Sequence, residues 1–121
     1  MGRHVRSHFL HRSRALNFAG GTGGLAAVNP VTSSMIWQHA FKSIDIGAAT
    51  VANNVVFTST YEGTSYALST TDGSVLWSAK APTGINSFPA VTKTMFIVGA
   101  GAPSAAKNPT NEIIAYSLNG R

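Results

Sequence analysis

The chain has 121 residues, one domain's worth, of which 44% are hydrophobic and only 11% charged. It holds no cysteine, which excludes disulfides, zinc–thiolate sites and a thiol nucleophile. No apolar run approaches the roughly 20 residues a membrane-spanning helix needs. The formal net charge of +5 sits at one end: Arg3, Arg6, Arg12 and Arg14 precede every acid, and from Ala15 onward five basic residues stand against Asp45, Glu62, Asp72 and Glu112. A nearly neutral body of this kind offers no basic face for nucleic acid.

In chain order, residues 1–14 read as a disordered basic arm. Phe9-Leu10 is broken at once by His11-Arg12, so no secretory signal is present in it. His4, His8 and His11 have the spacing i, i+4, i+7, one face of a helix, and three imidazoles could ligate zinc or nickel. The surrounding arginines oppose a dication, and no metal site is assigned. Strands are predicted near 15–19, 24–28, 34–41, 47–52, 55–60, 64–69, 75–80, 87–92, 94–99 and 112–118. These are short runs of Val, Ile, Phe, Tyr and Thr bounded by Gly, Asn, Asp and Pro. Gly20-Gly21-Thr22-Gly23-Gly24 invites comparison with a dinucleotide loop, but Pro30 leaves no room for the helix such a loop must open. A turn aligned with Tyr61-Glu62-Gly63-Thr64 is predicted there instead. Asp72-Gly73 is a hairpin signal, since both residues tolerate positive φ, and Asn53-Asn54 is a weaker one.

One phrase occurs twice, 40 residues apart. Ala27-Val28-Asn29-Pro30-Val31-Thr32-Ser33-Ser34-Met35-Ile36-Trp37 returns as Ala67-Leu68-Ser69-Thr70-Thr71-Asp72-Gly73-Ser74-Val75-Leu76-Trp77. Ala49-Thr50-Val51 returns as Pro89-Ala90-Val91, and Val55-Val56-Phe57 as Met95-Phe96-Ile97. Leu16-Asn17-Phe18-Ala19 falls one period before Val56-Phe57-Thr58-Ser59. A partial third copy, Ile114 to Gly120, lies 48 residues after Tyr66, with the difference absorbed in the Gly/Pro/Ala-rich stretch 99–109. A strand-rich period near 40 is the signature of β-propeller blades. The chain is therefore expected to be all-β, a partial propeller of about two and a half four-stranded blades: a partial blade at 15–41, a complete one at 47–80 and a partial last blade at 87–118. A propeller of four to eight blades needs more chain than this. The missing blades of a parent protein, or self-association, are the expected partners, with the chain read as a C-terminal piece.

Chemistry is sparse. The four acids are scattered, so neither a general acid/base pair nor a calcium cage assembles from spacing, and Gly-x-Ser-x-Gly is absent. No catalytic residue is assigned. Trp37 and Trp77 stand ten residues after Ala27 and Ala67. Their regular placement points to docking between blades, a large ring laid on a small residue with the indole N–H seeking an acceptor. The structural docking set is Ala27, Trp37, Ala67, Gly73 and Trp77.

The phrase Ala67, Ser69, Asp72, Gly73, Trp77, with its earlier copy Ala27, Asn29, Thr32, Ser33, Trp37, resembles the tryptophan-docking motif of the PQQ-like (quinoprotein alcohol dehydrogenase-like) β-propeller superfamily. The stretches Phe57–Leu68 and Gly84–Val91 resemble its strand–turn–strand phrase and terminal blade. Ser69 and Asn29 replace the usual Asp, and Ser33 the usual Gly. The resemblance covers about 15–118. It implies either a non-catalytic binding or scaffold module, with a protein partner, or a piece of a PQQ-dependent alcohol or sugar dehydrogenase. Pyrroloquinoline quinone (PQQ) and calcium belong to the full-length family and are not expected in this piece. The resemblance also implies a periplasmic or extracellular location.

Overall fold

The computed structural model describes residues 4–10 as a backbone path, and 21–46, 48–102 and 111–117 in full. Eleven strands form three antiparallel sheets, and no helix occurs among the described residues. The first sheet is β1 (His4–Leu10), β2 (Thr22–Val28) and β3 (Met35–Phe41), in that order. The second is β4 (Thr50–Ala52), β5 (Val55–Ser59), β6 (Thr64–Ser69) and β7 (Val75–Lys80). The third runs β11 (Glu112–Ser117), β10 (Met95–Ala102), β8 (Gly84–Ile85), with β9 (Ala90–Val91) also on β10.

The sequence repeat is a geometric repeat. Ala27 lies opposite Trp37 and Ala67 opposite Trp77, each followed by a register shift at the next pair. The connecting turns match as well. Ser33 N–H donates to the Asn29 carbonyl as Gly73 N–H donates to that of Ser69, each at 2.9 Å. Ser33 and Gly73 both adopt positive φ, 58° and 74°. In the third sheet, Phe96 opposite Tyr116 and Ile97 opposite Ala115 reproduce Val56 opposite Leu68 and Phe57 opposite Ala67.

Alternation along the strands of the second sheet sends successive side chains to opposite faces. Val56 and Leu68 join Leu25, Ala27, Trp37 and Phe41 of the first sheet in one buried cluster. Their neighbours Phe57 and Ala67 join Ile85, Phe96, Val98 and Ala100 of the third sheet in another. The second sheet is thus packed on both faces, which is how blades stack. The molecule is a partial β-propeller.

The N-terminal region departs from expectation. His4–Leu10 is not an arm but strand β1, whose backbone pairs with β2 from His4 opposite Val28 to Leu10 opposite Thr22. Val5 sits opposite Ala27 as Phe57 sits opposite Ala67, so β1 occupies the ladder position that the repeat assigned to 16–19. The strand expected at 15–19 lies outside the described residues. An extended chain rises about 3.3 Å per residue, so the backbones of His4 and His8 are roughly 13 Å apart, and the shared helical face disappears. His11 is outside the described residues. The expected turn at 20–24 is also displaced: Thr22, Gly23 and Gly24 are already strand, with Gly23 between Phe9 and Phe41.

Candidate functional site: the interfaces between blades

Turn chemistry sets up the first interface. Ser69 Oγ accepts from Thr71 N–H at 3.1 Å, and Asp72 Oδ1 accepts from the Ser74 amide at 3.0 Å and the Ser74 hydroxyl at 2.7 Å. The Ser74 amide, then its hydroxyl, holds the Asp72 carboxyl below its ordinary pKa of 3.8. This fixes the turn after β6, with Gly73 left-handed and its Cα bare. Trp37, on β3 of the preceding blade, uses that bareness. A Cβ on Gly73 would lie 2.5 Å from Trp37 Cε3 and 2.8 Å from Cδ2. The indole N–H donates to the Thr70 carbonyl at 2.8 Å. Trp37 is only 7% exposed, behind a fully buried Ala27.

At the second interface, Trp77 is 37% exposed and meets the next blade edge-on, its ring 5.8 Å from Phe96 and 5.1 Å from Tyr116. Trp77, Phe57, Leu76, Phe96 and Tyr116 are among the residues lining an apolar cavity of about 370 Å³. The structure therefore brings Ala27, Trp37 and Gly73 together, and Ala67 with Trp77 across β6–β7. It leaves the two tryptophans in different settings.

Sequence reasoning missed three contributors. Thr70 acts through its carbonyl, which no side-chain pattern reveals. Gly23 and Gly63 occupy equivalent places: a Cβ on the first would collide with the Asp45 backbone, and on the second with the Thr83 carbonyl. Asp45 is 1% exposed, and its two carboxylate oxygens lie 2.9 and 3.0 Å from Thr58 Oγ1. Its signal was available, since the repeat places the aliphatic Ile85 forty residues on.

The donor set for PQQ and calcium does not assemble among the described residues. Calcium takes six to eight oxygen ligands. Here Asp45 is engaged with Thr58, Asp72 with Ser74, and Glu62 with Lys80 at 3.8 Å. No three His, Asp or Glu side chains lie together among these residues.

Residues 21–121 match the sequence profile of the family described as outer membrane protein assembly factor BamB. The chain belongs to that family. No curated protein sequence matches it. Several solved structures share the fold. The quinohemoprotein alcohol dehydrogenase of Comamonas testosteroni superposes with a TM-score of 0.69 at 23% identity, over 84% of this chain and 17% of that one. The quinohemoprotein alcohol dehydrogenase ADHIIG of Pseudomonas putida HK5 gives 0.68 at 22%, over 85% and 18%. BamB of Moraxella catarrhalis gives 0.56 at 20%, over 69% and 26%. The chain thus spans less than a fifth of the two dehydrogenases. As a member of the BamB-described family, it shares with these enzymes the blade architecture.

Proposed function

We propose that the chain is a non-catalytic binding or scaffold segment of a PQQ-like β-propeller, working outside the cytoplasm. Ala27, Trp37, Ala67, Gly73 and Trp77 act in it as interblade docking residues. The observation that carries this reading is Trp37 seated on Gly73 with its N–H on the Thr70 carbonyl. The residues that the repeat singles out are engaged in holding blades together, leaving the blade surfaces to meet a partner. The name of the family, an outer-membrane protein assembly factor, supports a protein partner and a periplasmic or extracellular location. No described helix is long and apolar enough to cross a membrane.

The competing function is quinone-dependent oxidation of an alcohol or sugar, with this chain as part of the enzyme. A ligand that binds only the folded state raises the melting temperature by mass action, by about 2.7 kcal/mol of stabilisation at a hundredfold excess over Kd. Titrating the full chain with pyrroloquinoline quinone and calcium should leave its melting temperature unchanged. A rise of several degrees would overturn the scaffold reading.

A further inference from the structure

Twice in this chain the third strand of a blade carries a fourth strand on its outer edge, in one register. β2 carries β3 with Ala27 opposite Trp37, and β6 carries β7 with Ala67 opposite Trp77. β11 is the third copy of that carrying strand, its ladder to β10 repeating that of β6 to β5. Among the described residues β11 is paired on one edge only, by β10. We propose that the outer edge of β11 is a docking site for an extended segment of a partner protein, added antiparallel as a fourth strand with tryptophan opposite Ala115.

The register defines the partner's chemistry. Carrying the β6–β7 ladder onto β11 puts the Trp77 position opposite Ala115, the Val75 position opposite Tyr116 and the Lys80 position opposite Glu112. The segment is then aliphatic–x–Trp–x–x–Lys. Two features of β11 fit that occupant. Ala115 is exposed and small, as Ala27 and Ala67 are small beneath their tryptophans, and Ile113 beside it is 85% exposed. A ring opposite Ala115 reaches Ile113 diagonally across the ladder. Glu112 supplies a carboxylate where the segment brings an ammonium group. Strand addition of this kind draws affinity from main-chain hydrogen bonds and specificity from alternate side chains. The proposal deepens the scaffold reading by naming the partner's form, and the two fail separately: the quinone titration does not involve this edge.

The probe is a synthetic peptide with the sequence of residues 73–81, Gly-Ser-Val-Leu-Trp-Ser-Ala-Lys-Ala, added to the full chain. Saturable binding with slowed amide exchange in β11 is expected. Replacing the peptide's Trp by Ala should weaken it roughly tenfold or more. Glu112→Lys should weaken the original peptide and restore binding to one with Glu in place of Lys; Glu112 is exposed, and circular dichroism checks that the variant folds. Absence of binding overturns the proposal, as does binding that leaves β11 exchange unchanged or ignores the Trp→Ala change. Failure of the charge swap to rescue overturns the register. A chain already dimeric through β11, which the peptide does not dissociate, shows a second copy as the occupant and also overturns it.

Discussion

The contact between Trp37 and Gly73 couples two requirements at one point. Gly73 must be left-handed to shape its turn, and it must lack a Cβ to admit the ring. Trp37→Ala removes a nearly buried indole and should cost about 3–5 kcal/mol in urea unfolding. Gly73→Ala combines left-handed strain of about 1–2 kcal/mol with a collision against the same ring. The collision vanishes once the ring is gone, so the double variant should be destabilised by less than the sum of the two singles. Additive effects would mean that the ring does not rest on Gly73. The same turn predicts a pH response. Asp72 has a folded pKa below 3.8, so its stabilisation is complete above that value and fades as pH falls through the lower, folded one. Asp72→Asn keeps the acceptor and loses the charge. It should be less stable than the parent at pH 7, with the difference shrinking below pH 3.8. Urea midpoints at pH 7 and pH 3 test this, and a gap that persists in acid would refute the assignment.

Among elements, the turn from β2 to β3 uses Ser33 at φ 58° where the turn from β6 to β7 uses glycine at 74°. A serine pays steric cost there that glycine does not, whereas glycine gains freedom in the unfolded chain. Ser33→Gly should therefore stabilise by about 0.5–1 kcal/mol, read as a higher urea midpoint with unchanged slope. No gain would mean that the hydrogen-bonded Thr32 and Ser34 hydroxyls already relax the strain. That departure from the repeat was legible in the sequence, as were nine of the strands, because β-branched runs and turn residues alternate so regularly. Turn detail was less legible. Asn53 and Asn54, the weaker signal, both adopt positive φ at 51° and 62°, while in Asp72-Gly73 only the glycine does. Asp72 instead works through its carboxylate. β1 was hidden for two reasons. Three histidines at helical spacing obscured the period-two alternation of Val5, Ser7 and Phe9, and a good repeat match at 16–19 claimed the same ladder position. Local pattern cannot decide between two candidate strands for one edge; pairing with β2 does. Thr70 was invisible for a different reason, since a backbone carbonyl leaves no trace in the sequence.

In the whole molecule, stability is expected to be graded, since blades that touch only their neighbours behave as a one-dimensional array. The middle sheet alone has both faces buried, through Val56 and Leu68 on one side and Phe57 and Ala67 on the other. Within it, β5 and β6 are hydrogen-bonded along both edges, whereas β7 has one paired edge and mostly exposed residues. The two interfaces are also unequal. Trp37 is closed over by the following turn, while Trp77 borders a cavity and stands 37% exposed. The third sheet should therefore separate from the second at lower free energy than the first does. Local openings of different free energy appear as different exchange rates. Native-state hydrogen exchange should find the slowest amides in β5 and β6, faster exchange in β3, and the fastest among these strands in β7 and β11. Uniform rates would mean that the three sheets unfold as one unit. Protection of β11 equal to that of β5 would remove the inequality between the interfaces, and with it the significance given to the exposed Trp77.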